Sequence, residues 1–299
     1  MTRIAVIGTG IMGAHLARRL AQAGFDVTGW NRTPAKVDAL GAHGVHRAAS
    51  PAAALGAAEI AIVMLSSAPV IDALLFDRPA GADAAPIAAL APGGLVIVMS
   101  SIPVDAAHRQ AEVAESHGLA YLDAPVSGGE PGARDGTLAI LVGGAAAHIE
   151  RAMPVFAALG RPTPLGPVGS GQLAKLANQL IVGATLIAIA EALTLASRGG
   201  ADPAALREAW MGGFGDSKVL RVLGERMVSG DHAPGSPAAH QLKDVRAAAA
   251  LAGDLGLHLE QLDHTLRTFE SLADHGDGAR DVSIVIREVA RRAGAAVAA

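Results

Sequence analysis

Ile4-Ala5-Val6-Ile7, running into Gly8-Thr9-Gly10-Ile11-Met12-Gly13, is the stretch on which the fold turns. A short β-type run enters a G-x-G-x-x-G turn. Apolar residues at helical spacing (Met12, Leu16, Leu20) leave it and stop at Gly24. The glycine pattern alone is a weak signal; a strand before it and a helix after it are the context it needs. In that context Gly8 permits the tight turn, Gly10 removes a side chain so that backbone N–H groups approach a pyrophosphate, and Gly13 lets the helix pack on the strand. The start of the helix adds partial positive charge for such an anion.

The pattern continues outward as an alternation. Residues 26–30 read as a strand, and Thr33-Pro34 opens a short helix with Thr33 as N-cap and Pro34 in the first helical position. Residues 60–65 and 95–99 are continuous apolar runs, as in strands covered on both faces. Residues 103–117 and 146–159 read as helices, 120–122 and 138–142 as strands. Such alternation predicts an α/β domain of Rossmann type, a parallel sheet wrapped by helices. Residues 160–167 are rich in Gly and Pro and read as a connector. Beyond them every signal is helical: a long helix from Gly169-Ser170-Gly171 to Arg198, then 203–211, 219–228, 238–255, 259–273 and 282–293, with Asp281 as an N-cap. The expected organisation is a dinucleotide-binding domain over 1–163 and an all-α substrate and oligomerisation domain over 164–299, joined by the long interdomain helix. Residues 176–197 are long enough to span a membrane. They contain Asn178, Gln179 and Glu191 and have no flanking aromatic belt, so a buried interdomain helix is the expected reading.

Composition removes several function classes. The 299 residues carry a net charge of −4, 51% hydrophobic, 17% charged and 3% aromatic residues, and no Cys. Disulfides, a thiol nucleophile and zinc–thiolate sites are excluded. A nucleic-acid surface needs clustered Lys and Arg, and base-stacking platforms need aromatics. The histidines show no ligand spacing and no P-loop is present, so neither a metal site nor ATP chemistry is expected. The opening residues lack the pattern of a signal peptide, and a cytoplasmic protein is expected.

Three further segments carry candidate chemistry. Trp30-Asn31-Arg32-Thr33 ends the second strand without the acidic residue that bonds a ribose in NAD-preferring enzymes. A guanidinium there grips a 2′-phosphate, so the turn leans to NADP(H), with NAD as the alternative. Asp123-Ala124-Pro125-Val126-Ser127-Gly128-Gly129-Glu130-Pro131 reads as a loop. Its hydroxyl and two residues without Cβ suit a small carboxylate. Lys175, Asn178 and Gln179 share one face of the long, otherwise apolar helix. A Lys beside a carbonyl oxygen stabilises developing negative charge and delivers a proton. On sequence alone Lys243-Asp244 reads as an ordinary surface pair.

Together these residues resemble the β-hydroxyacid dehydrogenase (3-hydroxyisobutyrate dehydrogenase-like) family over nearly the whole chain. The resemblance rests on Gly8-x-Gly10-x-Met12-Gly13, Asp123-Ala-Pro-Val-Ser-Gly-Gly129, Gly169-x-Gly171-x-x-x-Lys175-x-x-Asn178 and Lys243-Asp244. Lys175-Leu-Ala-Asn-Gln179 and Gly136-Thr137-Leu138 look most like its tartronate semialdehyde (2-hydroxy-3-oxopropionate) reductase branch. The resemblance implies Lys175 as the catalytic residue, Ser127, Gly128 and Gly129 as the carboxylate loop, and Asn178 as the residue orienting the substrate oxygen. It places Leu65, Ser66 and Ser101 beside the cofactor, with Gly8, Gly10, Ile11, Met12, Gly13, Asn31, Arg32 and Thr33, and Lys243 closing over it. It implies a short aldehyde acid or hydroxyacid as substrate, with 3-hydroxyisobutyrate, glyoxylate or succinic semialdehyde as alternatives; an imine reductase, which shares the two-domain layout, is a separate alternative that Lys175 and Ser127-Gly128-Gly129 argue against. No nucleic acid or membrane partner is implied; a homodimer or homotetramer is. Two positions depart from the family: Val98 replaces an acid at the end of a strand, and Ser66 stands where Pro is usual. Gly215-Asp216-Ser217-Lys218 adds charge where relatives look more neutral, a candidate for the substrate mouth.

Overall fold

The structure is a computed structural model and describes residues 1–56 and 58–294. Its contacts divide the chain into two compact units, Met1–Lys175 and Leu176–Ala299. Among the described residues the first unit holds nine strands: β1 (Arg3–Ile7), β2 (Asp26–Trp30), β3 (Val45–Arg47), β4 (Ile60–Val63), β5 (Leu95–Val98), β6 (Ala120–Asp123), β7 (Val126–Ser127), β8 (Leu138–Gly143) and β9 (Gly160–Gly166). The order β3-β2-β1-β4-β5-β6 is parallel throughout. Strands β1, β4 and β5 are apolar at nearly every position because both faces of the sheet are covered. Ile4, Val6, Ile60, Ile62, Leu95 and Ile97 enter one core. Their alternate neighbours Ala5, Ile7, Ala61, Val63, Val96 and Val98 enter the other.

The structure corrects four local expectations. The sheet is not wholly parallel: β8 runs antiparallel to β6 and β7. Residues 160–167 are not a free connector, since Gly160–Gly166 is strand β9, parallel to β8. Pro162 and Pro164 are two apart, so their missing N–H groups fall on the same side of the strand, away from β8, where an edge strand tolerates them. The segment after Ser127 is not simply a loop, because Gly129–Asp135 is helical and ends at Gly136 with a φ of 70°. The short helix after β2 is Ala35–Asp38, capped at Pro34 with no side-chain bond, so Thr33 is not its cap.

The second unit is helical. The long helix Ser170–Arg198 crosses the division between the units. Helices Pro203–Trp210, Glu225–Ser229, Ala238–Asp254, Glu260–Asp274 and Val285–Arg292 follow. Leu186, Ile187, Ala190 and Leu193 of the long helix pack with Leu242, Phe269, Ile284 and Val285. The expectation that this helix is buried holds for one side only. Ala177, Ile181, Ala188, Glu191, Leu195 and Arg198 recur at helical spacing and are exposed, with Ile181 at 65% and Leu195 at 77%. Asp281 caps the turn Val282–Ile284 as expected, accepting from Ser283 N, and also pairs with Arg226. Glu288 is buried and accepts from Ser271 Oγ and from the guanidinium groups of Arg291 and Arg292.

Candidate functional site

The strand order reverses between β1 and β4, and open α/β sheets bind ligands outside the carboxyl ends of their strands at such a point. Gly8 follows β1 with a φ of 98°, and a Cβ there would lie 2.3 Å from Met64 O. Only glycine lets the turn lie against the end of β4. Gly13 is equally closed: its Cβ would stand 1.9 Å from Gly8 O. Gly10 is the opposite case. Its φ is −73°, open to any residue, and nothing lies within 4 Å of its Cβ position. Among the described residues nothing crowds that position, so the space suits a ligand. Helix Ile11–Gln22 begins there with no side-chain cap and no acidic residue in its first turn. Its leading N–H groups face the side an anion would take. Buried Thr9 Oγ1 has no partner among the described residues. These features fit a dinucleotide pyrophosphate.

The other residues expected at the cofactor lie at the same strand ends. Asn31 Oδ1 accepts from Thr9 N at 3.3 Å and its Nδ2 donates to Thr33 O at 3.2 Å, bracing the turns after β1 and β2 together. Arg32 beside it is exposed. Leu65 and Ser66 follow β4, and Ser101 follows β5. Leu65 N donates to Ser100 Oγ at 2.8 Å, tying those two strand ends. Val98, where the family usually has an acid, is fully buried opposite Asp123. Ser127 is held in the ladder opposite Ala139. Gly128 and Gly129 follow with φ of 139° and 64°, conformations that glycine alone adopts cheaply.

Lys175 stands in the second turn of the long helix and is 8% exposed. The start of that helix is anchored by Asp123, which the sequence marked only as the head of a motif, and by Gln172, which it did not mark. Asp123, fully buried at the end of β6, accepts from Gly169 N and Gln172 N, both at 2.8 Å. Burial pushes the Asp123 carboxyl above its ordinary value, and the main-chain N–H donors oppose that rise. The Gln172 side chain reaches the end of β5, accepting from Ile102 N at 3.0 Å and donating to Ser100 O at 2.9 Å. A lone acid in an apolar strand and a glutamine opening an apolar helix were the available signals.

In the second unit, Gln179 Nε2 donates to Gln241 Oε1 and Asp244 Oδ2, both at 2.9 Å. Asn178 Nδ2 donates to Gln179 Oε1 at 3.2 Å. Lys243 Nζ lies 2.8 Å from Asp244 Oδ1. The pair is therefore not an ordinary surface pair: Asp244 is buried and belongs to an amide network, while Lys243 is one-third exposed. Asp216 is engaged by Arg221 and by Gly212 N, which hold its carboxyl down to about 2.

Two family models cover the chain. One, described as the NAD binding domain of 6-phosphogluconate dehydrogenase, matches residues 3–174. The other, described as NAD-binding of NADP-dependent 3-hydroxyisobutyrate dehydrogenase, matches residues 169–289. The chain is 38% identical to 2-hydroxy-3-oxopropionate reductase of Escherichia coli (strain K12), over 95% of this chain and 96% of that one. The crystal structure of 3-hydroxyisobutyrate dehydrogenase from Salmonella typhimurium superposes with a TM-score of 0.88 at 28% identity, covering 96% and 99% of the two chains. The Mycobacterium tuberculosis 3-hydroxyisobutyrate dehydrogenase with L-serine gives 0.84 at 32% identity, covering 96% and 98%.

Proposed function

The chain belongs to the 3-hydroxyisobutyrate dehydrogenase-like β-hydroxyacid dehydrogenases, which are NAD(P)-dependent oxidoreductases acting on a CH–OH group, and from that premise we propose that it reduces a short aldehyde acid of the tartronate semialdehyde kind with NADPH. The observation that carries the reading is the turn at Gly8–Gly13, closed at Gly8 and Gly13 and open at Gly10. Ile11 and Met12 present the leading N–H groups to the pyrophosphate. Arg32, with Asn31 in place of an acid, favours the 2′-phosphate. Leu65, Ser66 and Ser101 border the cofactor, and Lys243 is assigned to it on the resemblance.

Those residues would hold NADPH, which when bound would supply the hydride that the carbonyl carbon takes up. Ser127 Oγ and the N–H groups of Gly128 and Gly129 hold the substrate carboxylate. The Lys175 ammonium stabilises negative charge on the carbonyl oxygen and gives it a proton. Asn178 orients that oxygen. In the reverse direction neutral Lys175 accepts the proton, so oxidation favours higher pH than reduction. The exposed stripe of the long helix suits assembly as a homodimer or homotetramer, and we assign the enzyme to the cytoplasm. A panel of tartronate semialdehyde, glyoxylate, succinic semialdehyde, methylmalonate semialdehyde and a cyclic imine, each with NADPH and NADH, tests the reading. The fastest loss of reduced-cofactor absorbance is expected with NADPH and tartronate semialdehyde. Faster turnover of the imine than of every aldehyde acid overturns it.

A further inference from the structure

We propose that Gln172 and Asp123 are positioning residues that fix the start of the Lys175 helix to the carboxyl ends of β5 and β6, an inference that rests on the proton-donor role proposed for Lys175. Gln172 and Lys175 are three residues apart on one helix, so they share a face. Gln172 is fully buried and uses its side chain at both ends, on Ile102 N and on Ser100 O. Its own N–H and that of Gly169 are taken by the two oxygens of Asp123. Ser100 in turn receives Leu65 N, so the tie reaches the end of β4.

The joint has no slack. A Cβ at Gly143 would lie 2.4 Å from Asp123 Oδ1, and one at Gly171 would lie 2.4 Å from Leu141 O. The backbone at both glycines thus closes directly on the acid and on β8. Packing alone lets an apolar helix slide by fractions of an ångström, because dispersion contacts are non-directional. Four directional bonds to main-chain and carboxylate groups do not allow that. Their role, on this reading, is to hold the second turn of the helix, and so the Lys175 ammonium, at one height above the strand ends. Misplacing a reacting group by about 1 Å costs on the order of 100-fold in rate.

A purely structural staple is the competing reading, and Gln110 provides its control. That glutamine is equally buried in the same unit, donating to Asp72 Oδ1 and accepting from Tyr121 Oη, and neither bond touches the long helix. Gln172→Met keeps the volume and loses both side-chain bonds. It should lower kcat by roughly 10- to 100-fold while KM for the aldehyde acid and Kd for NADPH stay near wild type. Gln110→Met should lower Tm comparably and leave kcat unchanged. If Gln172→Met does not fold, Asp123→Asn serves: it keeps the shape but sets an amide NH2 against a main-chain N–H, and the same kcat loss is expected. Wild-type kcat in Gln172→Met or in Asp123→Asn overturns the inference, as does an equal kcat loss in Gln110→Met. Lys175→Ala separates the two levels. Near-normal turnover in that variant defeats the role of Lys175 and this inference with it. An inactive Lys175→Ala beside fully active Gln172→Met and Asp123→Asn defeats this inference alone.

Discussion

Gly10→Ala separates folding from cofactor binding more cleanly than any other change in the glycine turn. Gly10 has a φ of −73°, and its Cβ position meets nothing within 4 Å. The methyl group therefore strains no backbone and clashes with no atom of the described residues. Restricting the unfolded chain gains about 0.4–1 kcal/mol, but Gly10 is the helix N-cap, where alanine is poorer than glycine by a similar amount, so Tm should stay within roughly 4 °C of wild type. The same methyl fills the space through which, on the proposed reading, the helix-head N–H groups would approach a pyrophosphate. Losing one charge-assisted hydrogen bond costs about 1.5–3 kcal/mol, which is a rise in Kd of roughly 10- to 150-fold. Fluorescence titration with NADPH and with NADH measures the second effect, and thermal melting of the free protein the first. Gly13→Ala is the contrast: its Cβ would stand 1.9 Å from Gly8 O, so the turn itself must move, and both stability and binding should fall. A Gly10→Ala protein that binds both dinucleotides as tightly as wild type refutes the assignment of this turn.

Two further outcomes are expected. Asn31→Asp keeps the acceptor for Thr9 N but places a carboxylate where a 2′-phosphate would sit. Repulsion of about 1–4 kcal/mol between unit charges near 4 Å should move the ratio of kcat/KM toward NADH by at least about fivefold; an unmoved ratio contradicts the role of that turn. Glu288→Gln tests the second unit. Burial raises the Glu288 carboxyl, but Ser271, Arg292 and Arg291 more than offset this and hold it below its ordinary value. A depressed carboxyl stabilises the fold above the ordinary glutamate range and loses that contribution as pH falls. Urea unfolding should show the variant about 1–3 kcal/mol less stable near neutral pH, with the gap closing only as pH falls below about 4. A gap that widens in acid contradicts the sign.

What the sequence made legible follows from the range of the forces involved. The turn at Gly8–Gly13, the buried strands and the long helix rest on local spacing and on apolar periodicity, and all of them are present. Strand β9 escaped because Pro162 and Pro164 read as breakers until β8 is known to lie on one side only. The helix Gly129–Asp135 escaped because Gly129, Pro131 and Gly132 lower helical propensity. Asp244 was misjudged because Lys-Asp on a helix reads as solvated; its partner Gln179 is 65 residues away. The anchoring roles of Asp123 and Gln172 stayed silent for the same reason. Their hydrogen bonds span 46 to 72 residues, and no local pattern encodes them.

The most direct test of the account is the single-turnover and steady-state kinetics of Lys175→Ala, with NADPH binding measured on the same preparation. The kcat for the aldehyde acid should fall at least ~100-fold, the low end for a positioned acid–base group, with Kd for NADPH close to wild type. Turnover near that of the wild-type enzyme, with the cofactor bound as tightly, contradicts it.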